Sequence, residues 1–495
     1  MVNNGITMTG GSGTDTLTVL MHAVARASVE ATASYSADAG SPVFPFPPFP
    51  TGVGFGGGLA GALALAPVSL SGAGAVAEVY SNIIQMHGAQ GDDQLLLDLF
   101  ASAANMARAS ANWGVADAAA LLAGATVAGN GISMTGGAGT DSLTAMLRAQ
   151  AQASAVADGG SSASALVSKA FAAVNSNQIF MDGGTGGDTL SLALAANAFA
   201  NASAGASSSF AAATVAAQAF VNGNNVVMSG GAGTDDLSLT LMVLAGASAT
   251  ASAASSAWGS AHVRAAISNN NISMIGGDGD DELSLNLTAS ANDWAYVTAS
   301  TTGFSIAASA SIRGNTIRMS GGSGSDTLNL VVNNPSGSFS HNAINMSGGN
   351  GNDGFNIHLS NLGAASNNAV LVWGGAGSDT ISIDAATSAA QFIFQYSAIS
   401  ELGDQINGLT SGHDVGFAFN HLNFAGTATA IPGVLTAGCF VNGSTAADAN
   451  DHWIYDPIAQ ALYYDANGNV TTGDKQLVAQ FDADLGLTAA DITLT

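Results

Sequence analysis

Apolar and polar residues alternate one by one over long stretches of this chain. In the first such stretch Leu17, Val19, Met21, Ala23, Ala25, Ala27, Val29, Ala31 and Ala33 share one side. Thr16, Thr18, His22, Arg26, Ser28, Glu30, Thr32 and Ser34 fall mostly on the other. A later stretch does the same with Leu190, Leu192, Leu194, Ala196, Ala198, Ala200 and Ala202. Alanine favours helices, but strict alternation over so many residues does not match the 3.6-residue period of a helical face. A period of two predicts strands with one buried side.

The strands recur in register with a short unit, N-x-I-x-M-x-G-G-x-G-x-D-x-L. Aligned on its aspartate, the unit ends at Asp15, Asp93, Asp141, Asp188, Asp235, Asp281, Asp326, Asp353 and Asp379. The spacings are 78, 48, 47, 47, 46, 45, 27 and 26 residues. Eleven residues before each aspartate stands an asparagine, from Asn4 to Asn368, and seven before stands methionine in eight copies, from Met8 to Met346. Only Ala89 breaks the glycine pattern. Fixed periods of this length mark stacked repeats. The glycines allow a tight turn between two strands.

One unit of about 46 residues therefore reads as one rung of an all-β, parallel β-solenoid or β-roll with long rungs. Two long strand segments lie back to back, Leu and Met fill the core near the turn, and Ala draws the sheets together further out. A strand of about 18 residues at ~3.3 Å each spans about 60 Å. The two rungs before Asp353 and Asp379 are shorter, so the stack should taper. Residues 1–384 form the nine-rung solenoid, and residues 385–495 form a C-terminal β-rich cap. The asparagines are expected to hydrogen-bond along the stack, and the methionines to fill the core.

Composition sharpens this picture. The chain of 495 residues has 34 acidic and only eight basic residues, a net charge of −26, and 8% charged residues in all. The repeated acids lack protein cations to pair with, so a divalent metal is the natural source of positive charge. A chain this acidic is not a nucleic-acid binder. No apolar run is long enough for a transmembrane helix. One cysteine, Cys439, rules out disulfides within the chain. Met1-Val2-Asn3-Asn4-Gly5 has no leader pattern, so export is expected to use a route without a cleaved N-terminal signal.

The turns 10–15, 136–141, 276–281 and 321–326 (GGSGTD, GGAGTD, GGDGDD, GGSGSD) resemble the GGxGxD repeats of RTX proteins. The resemblance implies Ca²⁺ between successive turns, held by oxygen ligands. Carried over by position, the ligands are the nine aspartates. They are joined by carbonyls near Gly10, Gly13, Gly88, Gly91, Gly136, Gly139, Gly183, Gly186, Gly230, Gly233, Gly276, Gly279, Gly321, Gly324, Gly348, Gly351, Gly374 and Gly377. Nine stacked turns make up to eight inter-turn sites. Family rolls carry turns on both sides, whereas one turn per 26–48 residues here places metal on one edge only.

Asp404-Gln405-Ile406-Asn407-Gly408-Leu409, Trp453-Ile454-Tyr455-Asp456 and the stretch 462–468 resemble the segment that follows RTX repeats. That implies a type I secretion signal, export through an ABC transporter channel, and a place outside or on the surface of a Gram-negative cell. Asp465-x-Asn467-Gly468-Asn469 reads as a further calcium site or a plain turn. The first repeat starts at Asn3 or Asn4 with no cap before it; either the chain is a fragment or that edge pairs with another molecule. The insert at about 40–75 carries alternating Phe and Pro at 41–50 and a Gly-rich run at 52–66, read as a docking patch or as a loop over the solenoid's edge.

Together these features describe a calcium-dependent structural protein of a surface layer, matrix, filament or adhesin, assembling with itself and with cell-surface polysaccharide as a further candidate partner. No enzyme is expected. The alternatives are a polysaccharide lyase or epimerase on a β-helix, and an ice-binding protein. Against the first, the cations Arg26, Arg108, Arg148, Lys169, Arg264, Arg313, Arg318 and Lys475 fall at scattered repeat offsets, and there is no H-E-x-x-H or G-x-S-x-G motif. Against the second, threonines form no regular outward columns.

Overall fold

The computed structural model describes residues 3–33, 68–72, 74–111, 114–424, 432–470 and 474–495. The Phe-Pro and Gly-rich stretches 41–50 and 52–66 lie outside them. The fold is an all-β parallel solenoid. A full rung has three strands: a long strand after the aspartate, a return strand, and a short strand that carries the methionine into the next turn. In the fourth rung these are Thr189–Ala206, Phe210–Asn222 and Asn225–Ala232. Among the described residues none of the alanine-rich runs is helical.

The return path is not one long strand, as the alternation alone implies, but two. Between them stands a residue with positive φ, followed by the repeated asparagine. The residues in question include Ser81, Ser176, Asn269, His341 and Asn367, at φ 53–56°, and Gly129, Gly223 and Gly314, at 64–66°. A left-handed residue cannot continue a strand, so the chain turns a corner there.

Repeat positions stack on their counterparts from rung to rung. Met8 lies beside Met86, Met86 beside Met134, and so on through Met346, Val372, Phe394, Phe417 and Ile492. Leu190 sits between Leu143 and Leu237. The long strand of the fourth rung pairs over its whole length with Ser142–Gly159 below and Asp236–Ala253 above. Its core-facing Leu190, Leu192, Leu194, Ala196, Ala198 and Ala202 are buried. The long and return strands of a rung approach within 8 Å between Cα atoms, closer than the ~10 Å of sheets packed through larger side chains. Alanine permits that approach.

From the seventh rung on, the rungs shorten. Thr327–Ser340 covers only Glu282–Thr288 of the sixth long strand and Ser311–Arg313 of its return strand. Asn334, fully buried, donates from Nδ2 to the Ser338 carbonyl (2.9 Å) where this rung turns back. Sixth-rung residues 289–298 and 301–310 thus form a step with no strand above them among the described residues.

The stack runs on past residue 385. Gln391–Tyr396 and Asp414–Phe419 continue the short-strand sheet, and Asp404–Asn407 continues the long-strand sheet. The antiparallel pair Trp453–Asp456 and Ala461–Tyr464, with Gln476–Phe481, closes this end. The core changes from Met and Ala to rings: Phe394–Phe417, Tyr396–Phe419, Phe419–Trp453 and Trp453–Tyr464 lie 5.3–5.4 Å apart. Asp465 accepts from the Asn467 amide (3.0 Å), a turn closed by its own side chain.

Candidate metal centre

All nine repeated aspartates fall in one column along one edge, where the short strand turns into the next long strand. Asp93 to Asp379 are 1–2% exposed, and Asp15, in the first turn, is half-buried. Each carboxylate is shared between rungs. The Asp141 amide donates to Asp188 Oδ1 (2.7 Å), the Asp188 amide to Asp235 Oδ1 (2.7 Å), and the Asp235 amide to Asp281 Oδ1 (2.8 Å). The pattern runs unbroken from Asp15 to Asp379.

The second oxygen tells more. In the first two turns it accepts a backbone amide, from Gly11 (2.6 Å) and Ala89 (3.0 Å). In Asp141, Asp188, Asp235, Asp281, Asp326, Asp353 and Asp379 the Oδ2 is buried and has no hydrogen-bond partner. Each lies over the first glycine of its own turn, at Gly136, Gly183, Gly230, Gly276, Gly321, Gly348 and Gly374, where a Cβ would collide with it. The second and third glycines serve the stacking. Gly184 (φ +108°) and Gly186 (φ +131°) pass so close to the carbonyls of Gly137 and Gly139 below that no side chain fits.

A buried acceptor without a donor is rare and needs a reason. Seven in a column, about one strand spacing (~4.8 Å) apart, amount to a line of like charges withdrawn from water. Burial pushes the carboxyls of Asp188, Asp281, Asp326, Asp353 and Asp379 up to about 6, with neighbouring carboxylates adding to the effect. Asp141 and Asp235 are raised too, first by burial. Such a column is at ease only if protonated or bridged by cations.

The column has a tenth member that the glycine motif does not mark. Asp404 Oδ1 accepts the Asp379 amide (3.0 Å), and its Oδ2 accepts the Tyr396 hydroxyl (2.9 Å). Burial raises its carboxyl to about 7, and Asp379 adds to the shift. Glu401, also buried, accepts the Trp373 indole N–H (3.1 Å) and the Ser397 amide.

Among the described residues no group of three His, Cys, Asp or Glu side chains converges as a metal-binding set. A cation on this edge would take one orphaned carboxylate oxygen per turn and the rest from the glycine-turn carbonyls. That all-oxygen donor set suits a hard ion such as Ca²⁺ and fits the orphaned oxygens and their Cβ-free cradles. No soft donors stand there that would favour zinc or copper. The methionine column lies instead in the core, with Met86 to Met346 0–1% exposed.

A second column runs along the asparagine corner. Asn177 donates from its backbone amide (3.0 Å) and from Nδ2 (2.9 Å) to Asn224 Oδ1, and Nδ2 also reaches the Val127 carbonyl (3.2 Å). The same pattern links Asn4 to Asn368. Its polar atoms are satisfied, which makes it a staple and leaves the aspartate column as the candidate site. Comparison with protein-family models, curated proteins and solved structures gives no match.

Proposed function

We propose that this chain is a calcium-dependent extracellular structural protein, of the surface-layer, matrix, filament or adhesin kind, whose solenoid forms around Ca²⁺ after export and then self-associates. The observation that carries the reading is the column of seven buried, unpartnered carboxylate oxygens on one edge. A net charge of −26 with eight basic residues points the same way. The cations that relieve the column have to come from solution.

In this reading Ca²⁺ bridges successive turns, and the charge of up to eight ions offsets a large part of the acidic excess. Calcium is scarce inside cells and plentiful outside, so the fold would be at its least stable until the chain is exported. Export through a type I ABC transporter channel rests on the likeness of the 404–409 and 453–468 segments to those that follow RTX repeats. Adhesion to a cell-surface polysaccharide belongs to the same proposal.

The test is a calcium titration of protein purified in EGTA, followed by circular dichroism and by calorimetry. Strand signal should rise cooperatively with several ions bound per chain. A full strand signal in EGTA, unchanged on adding millimolar Ca²⁺ and with no heat of binding, would sink the reading.

A further inference from the structure

The step above the sixth rung opens the solenoid's interior sideways to solvent. Thr302, Phe304, Ile306 and Ala308 lie on the core-facing side of the return strand, in line with the buried Ala310 and Ile312. Their counterparts one rung below, Ala257, Gly259, Ala261 and Val263, are buried. Yet Phe304 is 66% and Ile306 48% exposed. On the opposite strand the core-facing Ala295 and Val297 are only half-buried. Both strand edges, 289–298 and 301–310, present backbone groups with no ladder partner among the described residues.

An occupant must bring two strand edges at once, one for each layer, spaced as the alanine core sets them. A single extended peptide would complete one sheet and leave the other edge and the core open. The rungs of this chain carry two such edges at that spacing, each matched to the next rung, so a second copy supplies both at once. A further copy stacked in parallel would run into the seventh to ninth rungs, which stand on the leucine half of the sixth. A copy turned by a two-fold axis normal to the sheets avoids them. It sets each edge antiparallel to its own mate, with each tall end passing the other's tip.

We propose that this step is a self-association surface that pairs two copies step to step, continuing both sheets and closing the core between them. Such an isologous contact is self-complementary, and it extends the rung-on-rung packing that builds the rest of the molecule by strand addition. It rests on the self-assembly reading above and gives it a location. Asp293 faces inward on the step, in line with the buried Ala247. An inward charge on an open edge guards against indiscriminate pairing, so it sets the strength of the contact.

The full chain, folded in saturating Ca²⁺, is measured by light scattering after size exclusion. A two-chain mass is expected. Phe304→Lys and Ile306→Lys, at exposed positions, should each weaken the dimer by about thirty-fold or more. Strand signal and calcium stoichiometry should not change. Asp293→Ala should strengthen it. In a Cys439→Ser background, one cysteine among Asn292→Cys, Trp294→Cys and Tyr296→Cys should cross-link with itself near the axis. A calcium-loaded, fully folded chain that stays single at every concentration overturns the step proposal and leaves the calcium reading standing. So does an assembly that both lysine substitutions leave intact. A two-chain mass in EGTA that the lysines abolish would overturn the calcium reading alone.

Discussion

At the scale of single residues, the aspartate and the first glycine of each turn act as a pair. The glycine has no side chain where the carboxylate folds back, so the carboxylate reaches the turn interior. Asp281→Asn keeps the shape and removes one charge from the column. In EGTA at pH 8 it should raise the melting temperature, because repulsion along the column falls. In calcium it should lower it, because on the proposed reading a ligand is lost. Paired melts with and without Ca²⁺ check this: the gap between them should narrow by several degrees, and a shift of the same sign in both would count against a metal at that turn. Gly184→Ala acts through the backbone alone. Its φ of +108° and the Gly137 carbonyl against it leave no room for a methyl. Strain of that kind costs on the order of 1–3 kcal/mol before any clash. Chemical denaturation should report at least that loss, with and without calcium. The column of nine aspartates was legible in the sequence because eight follow the same three glycines and Asp93, after Ala89, keeps two of them. Asp404 was not, because its turn lacks them and it is held instead by the Tyr396 hydroxyl.

At the scale of the element, the period of two made the strands legible, and the fall from Leu to Ala along each long strand made the thinning of the core legible too. The corner in the return path was missed. Its signal stands in the residue before each repeated asparagine, which is always Gly, Asn, Ser or His, small or polar types with some tolerance of left-handed backbone. The corner matters because the asparagine inside it ties three strands together. Asn224→Ala removes the acceptor of two donors on Asn177 and the side chain that reaches Asn270 and Val174. Leaving buried donors unpaired costs about 1–3 kcal/mol each, so the calcium-loaded protein should lose about 2–4 kcal/mol in urea unfolding. Asn4→Ala, at the exposed end of the same column, should cost well under half of that, because its own oxygen accepts from no described rung below. Equal losses at the two positions would mean that the column does not act as a ladder.

For the molecule as a whole, the aspartate column reverses the usual dependence of stability on pH. An ordinary salt-bridged carboxylate has a lowered pKa in the fold and loses stability in acid. Here the folded-state values are raised, to about 6 in five repeat aspartates and about 7 in Asp404, against about 3.9 in an unfolded chain. The folded state therefore binds more protons than the unfolded one between those values. Metal-free stability is fully present below about pH 4 and falls as the pH rises through 6 and 7. On the proposed reading Ca²⁺ takes the place of the protons, so the calcium-loaded protein should show little of this slope. Thermal melts in EGTA should give a higher melting temperature at pH 5 than at pH 8, and saturating Ca²⁺ should remove most of the difference. A metal-free protein that is more stable at pH 8 would mean that the carboxylates are not held in a buried column. The sign also bears on export. On the proposed function, the near-neutral pH and low calcium of a cell interior would leave the column charged and unbridged, the condition least favourable to the fold, and Ca²⁺ outside would reverse it without any change in pH.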